Sequence, residues 1–470
     1  MVAMAAREIN RETTMDLRDK KAVVVGLGKT GTSAVRFLLA KGAKVVVTER
    51  KTEEEVLKSG VLLGELRSKG VTIELGGHTS ESFEGADLVV VSPGVPLNTP
   101  EIEKAINEGI QVISDIEFAS CFISAPIIAV VGTNGKSTVT EFLGEVLKGA
   151  GKEVFVGGNI GVPAIECAEC EERSTSEGVP EFCVLEVSSF HLEAVCSFRP
   201  HVAMLLNITE DHLDRYADFK EYAETKFRVF DNQESGDFAI INAGDEVITE
   251  DLGKLRGSVI PFSVKNELDE GLFLRGSEIV FKQKDSQETY PTEILKIKGI
   301  QNIENAMAVI AAARSLGISK DSVLEVMKTF TGLPHRMEFV REVDGVSYFN
   351  DSKSTNIGSL KKALEGQVDS LVLIAGGRDK GGDYKDLRDV VSEKVSELIL
   401  IGEAGDKIEA ALGDVVKVTR AETLEEAINF AKEASTSGGT VLLSPACSSF
   451  DIFKGFEERG EEFKRLVEAL

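Results

Sequence analysis

The 470 residues carry 53 Lys and Arg against 78 Asp and Glu, a formal net charge of −25, and 42% of the chain is hydrophobic. A surface this acidic repels nucleic acid and anionic lipid, so neither is expected as a partner, and any anionic ligand must be held by local cationic groups. No apolar run approaches the roughly 18 residues of a membrane span, no hydrophobic export signal opens the chain, and six cysteines over this length do not make a disulfide scaffold.

The expectation is therefore a cytoplasmic globular protein of about two to four domains. Residues 1–14 read as an extension before the first strand. Cys167 and Cys170 form one C-x₂-C pair without a second pair or a histidine cluster, which favours reduced thiols over zinc.

Residues 21–25 read as a strand. Gly26-Leu27-Gly28-Lys29-Thr30-Gly31 completes a G-x-G-x-x-G, a helix follows to about Lys41, and a second strand spans 43–47 before Thr48-Glu49-Arg50. This is a βαβ dinucleotide fingerprint. Read alone, it predicts an NAD-dependent oxidoreductase with Glu49 on the ribose. The fingerprint itself requires only that a helix N-terminus meet a diphosphate, which a UDP-linked sugar also carries. Further strands are expected at 71–74, 87–91 and 111–113. Ser92-Pro93-Gly94 begins a rigid turn at a strand's carboxyl end, where ligands bind in such sheets.

A second domain begins near Ile116. Five apolar residues, 127–131, lead into Gly132-Thr133-Asn134-Gly135-Lys136-Ser137-Thr138, and a helical pattern opens at Lys136. Strand, glycine loop and helix wrap backbone N–H groups around phosphate. Lys136 would reach the outer phosphates of a nucleoside triphosphate, and Ser137 or Thr138 would offer a hydroxyl to Mg²⁺. The loop is shorter than the common pattern and has no glycine at position 130. Gly157 to Gly161, containing Asn159, is a second loop able to approach a ligand. Glu186 closes the apolar strand 182–186, where phosphate-loop proteins commonly place an acid for Mg²⁺.

Strand 202–206 precedes Asn207-Ile208-Thr209-Glu210-Asp211-His212-Leu213-Asp214-Arg215, an acid-rich segment with one of only five histidines. Oxygen and imidazole donors together suit Mg²⁺ or Mn²⁺. In the next helix Phe219, Tyr222, Ala223, Lys226, Phe227 and Phe230 share one stripe. A lysine there is paired, neutral, modified to a carbamate, or snorkels at the stripe's edge; the pattern alone leaves these open. Asn302 and Asn305 share a face at the start of a helix from about 300 to 315, suited to capping or to adenine contacts.

The third domain starts near Gly332. Residues 333–338 read as a linker whose Arg336 suits phosphate. Three strands end in 350–356 (Asn-Asp-Ser-Lys-Ser-Thr-Asn), 376–382 (Gly-Gly-Arg-Asp-Lys-Gly-Gly) and 444–450 (Ser-Pro-Ala-Cys-Ser-Ser-Phe), which predicts a second open parallel sheet with a ligand edge. The predicted architecture is α/β in three domains: a Rossmann-like parallel sheet over 1–115, a central ATPase-type domain with a phosphate loop over 116–331, and a Rossmann-like domain over 332–470. Three polar edges point to a site assembled between domains. One suits a diphosphate carrier, one ATP and one a small anion, the requirement of an ATP-dependent ligase.

The segments 132–138, 158–161, 186–193, 207–215, 333–338, 350–356 and 444–460 together resemble the Mur ligases of cell-wall precursor synthesis, and the last two resemble the branch that adds D-glutamate. The resemblance covers about 17–470. It implies that ATP phosphorylates the carboxylate of UDP-N-acetylmuramoyl-L-alanine and that D-glutamate displaces phosphate. It implies roles for Gly132 to Thr138, Asn302, Asn305, Arg336 and Asp351 toward ATP. Ser137, Glu186, His212 and a carbamylated Lys226 would hold two Mg²⁺, with Lys136, Lys226, His212 and Glu186 as the catalytic set. Gly28, Lys29, Thr30, Arg50, Ser92, Pro93 and Gly94 would hold the uridine diphosphate, and Asn159 the muramoyl-alanine end. Thr355, Lys380, Ser449 and Phe456 would hold D-glutamate. A monomer is expected. A folylpolyglutamate synthase shares the central chemistry, but would not need the N-terminal diphosphate fingerprint.

Overall fold

In the computed structural model, residues 15–470 are described apart from 59, 174–177, 213–214, 251, 366–369 and 380. They form three sheets in two compact units, one ending at Phe330 and the other beginning at Thr331.

The first sheet contains β1 (Lys21–Val25), β2 (Lys44–Glu49), β3 (Thr72–Leu75), β4 (Leu88–Val91) and β5 (Gln111–Ser114). All neighbours are parallel, in the order β3-β2-β1-β4-β5. β2 continues to Glu49, beyond the expected end at Val47. Thr48 and Glu49 pair in register with Glu74 and Leu75 of β3, which holds both inside the sheet.

The second sheet contains β6 (Ile127–Val131), β7 (Val154–Gly158), β8 (Phe182–Glu186), β9 (Val202–Leu205), β10 (Phe238–Asn242), β11 (Ser258–Ser263), β12 (Gly271–Arg275), β13 (Glu278–Gln283) and β14 (Ser286–Pro291). The order is β14-β13-β12-β11-β10-β9-β6-β8-β7, with only the β12-β13-β14 edge antiparallel. Strand alternation divides β6 between two cores. Ile127, Ala129 and Val131 face one, while Ile128 and Val130 face the helices Lys136–Gly149 and Ile300–Ser315 on the other side. The first of these cores also takes in Val24, Phe37 and Phe118 of the N-terminal segment, so one apolar cluster spans both sheets.

The second unit contains β15 (Glu338–Val343), β16 (Val346–Asn350), β17 (Leu371–Gly376), β18 (Val395–Ile401), β19 (Lys417–Arg420) and β20 (Thr440–Leu443), in the order β15-β16-β20-β17-β18-β19. Two expectations are corrected here. The sheet is not wholly parallel, because β15 and β16 form an antiparallel hairpin. Segment 333–338 is more than a linker: Glu338 opens β15, His335 is buried, and His335 and Met337 both take positive φ to make the corner.

Candidate active site

β9, β6 and β8 are adjacent, so the loops leaving their carboxyl ends lie side by side. The loop after β6 turns through Gly135 at φ +84°, a left-handed position where a Cβ would lie 2.4 Å from Asn305 Oδ1. It is laced to the loop after β9. Thr133 N–H donates to Asn207 O at 2.9 Å, Asn134 N–H to Asn207 Oδ1 at 2.8 Å, and Thr133 Oγ1 to Thr209 O at 3.1 Å.

Lys136 Nζ donates to Gly132 O and Thr133 O, both at 2.9 Å. Lys226 Nζ, from the helix Phe219–Phe227, also donates to Gly132 O at 2.9 Å. Two ammonium groups thus share one carbonyl. Lys226 is only 2% exposed and lies 4.5 Å from the centroid of the Tyr222 ring, which removes the snorkelling alternative. The Tyr222 hydroxyl, 3.1 Å from Thr133 Oγ1, is pushed up to about 12 by burial and stays protonated. Ser137 is buried in the first turn of the following helix.

Glu186, at the end of β8, is 2% exposed. Its Oε1 accepts from Asn159 Nδ2 at 2.7 Å, while Oε2 is buried without a hydrogen-bond partner. Asn159 also donates its N–H to Glu186 O at 2.9 Å. The sugar contact implied for Asn159 therefore competes with a role in orienting this carboxylate. His212 sits at φ +54° with its ring 4.7 Å from that of Phe190 and nearly half exposed. Among the described residues, no three His, Cys, Asp or Glu side chains converge as a ready metal cluster.

Sequence reasoning treated Arg215 only as part of a motif. Its guanidinium donates to Glu193 at 2.6 and 2.8 Å and to Pro93 O and Val95 O at 2.9 and 3.1 Å, and it lies 4.0 Å from the Phe190 ring centroid. It thereby fastens the His212 loop to the turn after β4.

Gly28, Lys29, Thr30, Arg50 and Ser92 to Gly94 lie at the carboxyl ends of the neighbouring strands β1, β2 and β4. Ser92 Oγ donates to Gly26 O at 3.2 Å, and Lys29 Nζ donates to Gly161 O in the loop after β7. Glu49 Oε2 accepts from Leu27 N–H at 2.6 Å and Oε1 from Lys51 N–H at 2.9 Å. Its carboxylate is committed to the glycine loop instead of a nicotinamide ribose.

A cleft opens beside the phosphate loop, lined by Asn134, Gly135, Leu206, Asn207, Phe262, Gln301, Glu304 and Asn305. Asn305 Nδ2 donates to Asn302 Oδ1 at 3.1 Å, and Asn302 Nδ2 to Lys298 O at 2.7 Å. Glu304, unassigned from the sequence, has its carboxyl raised by burial.

In the second unit, β16, β20 and β17 are neighbours, so the three polar strand ends form one edge. Asp351 is buried: Oδ2 accepts from Ser444 Oγ at 2.7 Å and Oδ1 from Met337 N–H at 3.2 Å. Burial raises its pKa to about 6. Both oxygens are used inside the unit, so its part in any nucleotide contact is to hold the corner carrying the exposed Arg336. Ser449 is buried, Thr355 half-buried, and Phe456 opens the helix Phe456–Glu468. Lys380 lies outside the described residues.

Three family models cover most of the chain. The Mur ligase MurD-like N-terminal domain matches residues 20–114, the Mur ligase middle domain 130–313, and the Mur ligase glutamate ligase domain 335–447. The chain belongs to the Mur ligases. UDP-N-acetylmuramoylalanine--D-glutamate ligase from Geobacter sp. strain M21 is 48% identical over 455 residues, covering 97% of this chain and 99% of the relative. The ligase of the same description from Geotalea uraniireducens is 47% identical, with 97% and 99% covered. Among solved structures, the Mur ligase fold is shared with UDP-N-acetylmuramate-alanine ligase of Thermotoga maritima at TM-score 0.54 and 21% identity, covering 96% and 99% of the chains. MurF ligase of Thermotoga maritima in complex with ADP gives 0.55 at 17%, covering 100% and 99%.

Like Arg215, Arg459 is not legible as a functional residue from the sequence. It was hidden in the charge run Glu457 to Arg465, yet it shares a stripe with Phe463 and Val467, the same signal that singled out Lys226.

Proposed function

We propose that this Mur ligase joins D-glutamate to UDP-N-acetylmuramoyl-L-alanine with hydrolysis of ATP to ADP and phosphate. The observation that carries the reading is the meeting of Lys136 and Lys226 at Gly132 O, on a phosphate loop whose neighbouring strand ends in the buried, half-satisfied Glu186. The acceptor and sugar come from the names of relatives at 46–48% identity.

The donor set fits a hard divalent cation. Glu186 Oε2 is a buried carboxylate oxygen with no donor to satisfy it, Ser137 supplies a hydroxyl and His212 an imidazole. Mg²⁺ bound there would neutralise charge on the transferring phosphoryl group. Two such ions are part of this reading.

Lys226 is the candidate carbamate. A second cation at Gly132 O is electrostatically unfavourable beside Lys136, and a carbamate replaces it with an oxygen donor of opposite charge. Carbamylation predicts a ¹³C carbonyl resonance after incubation with labelled bicarbonate that Lys226→Ala lacks. It also predicts partial rescue of that variant by short carboxylic acids. A variant with full unaided activity would count against it.

In the proposed reaction the alanyl carboxylate attacks the γ-phosphate, giving an acyl phosphate. The D-glutamate amine adds to its carbonyl, and phosphate leaves the tetrahedral intermediate. Lys136 and the loop N–H groups stabilise the phosphoryl charge, Asn159 orients Glu186, and Asn302 and Asn305 face the adenine cleft. Gly28 to Thr30, Arg50 and Ser92 to Gly94 hold the diphosphate; Arg336 serves ATP, and Thr355, Lys380, Ser449 and Phe456 serve D-glutamate. The division of labour follows segments 1–115, 116–331 and 332–470. On this reading the enzyme works in the cytoplasm as a monomer. No described helix is long and apolar enough to cross a membrane.

The deciding assay is phosphate release from ATP with Mg²⁺, UDP-N-acetylmuramoyl-L-alanine and a panel of amino acids. Release should require both the nucleotide sugar and D-glutamate. Release with a different amine alone keeps the ligase and changes the acceptor.

A further inference from the structure

Arg459 heads the fully buried side chains by volume, at 1% exposed. Its Nε donates to Ser352 Oγ at 3.0 Å, and its Nη2 to Ser352 O at 2.9 Å and Cys447 O at 3.3 Å. Nη1 lies 3.3 Å from where a Cβ on Gly377 would stand, against the loop after β17. Ser352 Oγ in turn donates to Phe456 O at 2.8 Å. One guanidinium therefore bonds the loops leaving β16 and β20, packs against the loop after β17, and reaches the start of the last helix through Ser352.

No carboxylate among the described residues lies within ion-pair distance of Arg459; its hydrogen-bond partners are carbonyls and a hydroxyl, and Asp451 attracts it only from beyond that distance. Burial draws its pKa down to about 10, which leaves it charged at neutral pH. Buried cations are ordinarily paired, because loss of hydration is otherwise uncompensated. Here the positive charge stands beneath the loops that carry Thr355 and Ser449 and beside Phe456.

We propose that Arg459 is a positioning residue that selects an acidic amino acid as acceptor, holding three strand-end loops in place while its charge, which no carboxylate pairs directly, favours a ligand that brings a second carboxylate. This rests on the reading that the second unit binds the amino-acid acceptor. A neutral amino acid of the same shape would leave the buried charge unbalanced, which is discrimination by electrostatic complementarity.

The test compares kcat and KM for D-glutamate and its neutral isostere D-glutamine, using the full-length enzyme with ATP, Mg²⁺ and UDP-N-acetylmuramoyl-L-alanine. Arg459→Gln keeps an amide donor and removes the charge. It should raise KM for D-glutamate by about tenfold, the scale of electrostatic complementarity exerted without direct contact. KM for ATP and for D-glutamine should stay within about threefold. Arg459→Lys keeps the charge and loses the fork, so it should retain most of the preference for D-glutamate even where both KM values rise. An Arg459→Gln enzyme with the native D-glutamate to D-glutamine ratio overturns the proposal, as does an equal loss for both. Should Arg459→Gln not fold, an Arg459→Lys enzyme that loses the preference overturns it. A wild-type enzyme that turns over without D-glutamate instead overturns the acceptor reading beneath it.

Discussion

Glu186 and Arg459 are buried alike, at 2% and 1% exposed, and neither has an oppositely charged side chain within ion-pair distance among the described residues. One is an anion at the end of β8 beside the phosphate loop. The other is a cation under the loops of the second unit. A structural charge is normally neutralised on site, because breaking or omitting a buried pair is strongly destabilising. Leaving the charge open makes the local fold less stable, and on the proposed reading it reserves the partner for a ligand, in one case a metal cation and in the other a dicarboxylate.

The most severe test of this contrast is Glu186→Gln. It keeps the shape and the Asn159 contact but removes the orphan charge. Turnover should fall over about a hundredfold, the scale of losing one transition-state electrostatic contact. Thermal stability without Mg²⁺ should rise, and the stabilisation by added Mg²⁺ expected of the native enzyme in scanning calorimetry should be absent from the variant. A variant that is both inactive and less stable would show that Glu186 is structural.

Asp351 offers a sharper control, since its charge is buried but served by hydrogen bonds. Its pKa is raised from 3.8 to about 6. The folded state therefore holds a proton more tightly than the unfolded state. That contribution to stability is fully present below about pH 4 and is lost as pH rises through about 6. Asp351→Asn should flatten this segment of the stability curve by up to about 3 kcal/mol, read as the variant-minus-native difference in urea unfolding between pH 4 and 7. A parallel pair of curves would place the titration elsewhere.

Arg215 has the opposite arrangement, a cation closed by Glu193 and by two carbonyls of the 93–95 turn. Arg215→Ala should raise KM for the nucleotide sugar about tenfold with little change in KM for ATP, since hydrogen bonds to a charged group are worth about 1.5–3 kcal/mol. Equal changes in both constants would assign it to general folding. The smallest effect concerns geometry alone. Gly135→Ala forces a non-glycine residue into a left-handed position and brings its Cβ to 2.4 Å from Asn305 Oδ1, which must move. It should cost about 1–2 kcal/mol of unfolding free energy and raise KM for ATP.

The site was legible where chemistry sits next to a strand in sequence. Gly132 to Thr138 follow five apolar residues, and 350–356 and 444–450 follow strands in the same way, so their place at a sheet edge could be read directly. Lys226 was legible because one cation interrupts an apolar stripe. Arg459 obeys the same rule but lies among six other charged residues between 457 and 465, which mask the stripe. Partner choice was not legible. That Asn159 serves Glu186, that Asp351 serves Met337 and Ser444, and that Glu49 serves Leu27 are decided by side-chain direction across turns and strands. Hairpin β15-β16 was missed because the polar corner at His335 and Met337 reads as loop and the edge strand alternates with charged residues.

The apolar cluster shared by the first two sheets sets where the chain can be cut. A fragment ending at Asp115 would leave Phe37 to water on a surface evolved for contact, and a fragment starting at Ile116 would strand Phe118 and Phe122, whose rings pack edge-on with Phe37 at centroid distances of 5.9 and 4.9 Å. Ser33 and Lys41, hydrogen-bonded to Glu166 and Glu172, would lose their acceptors in the same operation. Recombinant pieces divided there should aggregate, whereas a boundary between Phe330 and Thr331 follows the division into compact units. For calorimetry, labelling or segmental exchange between relatives, residues up to Phe330 are one compact unit despite containing two sheets, and are expected to unfold together.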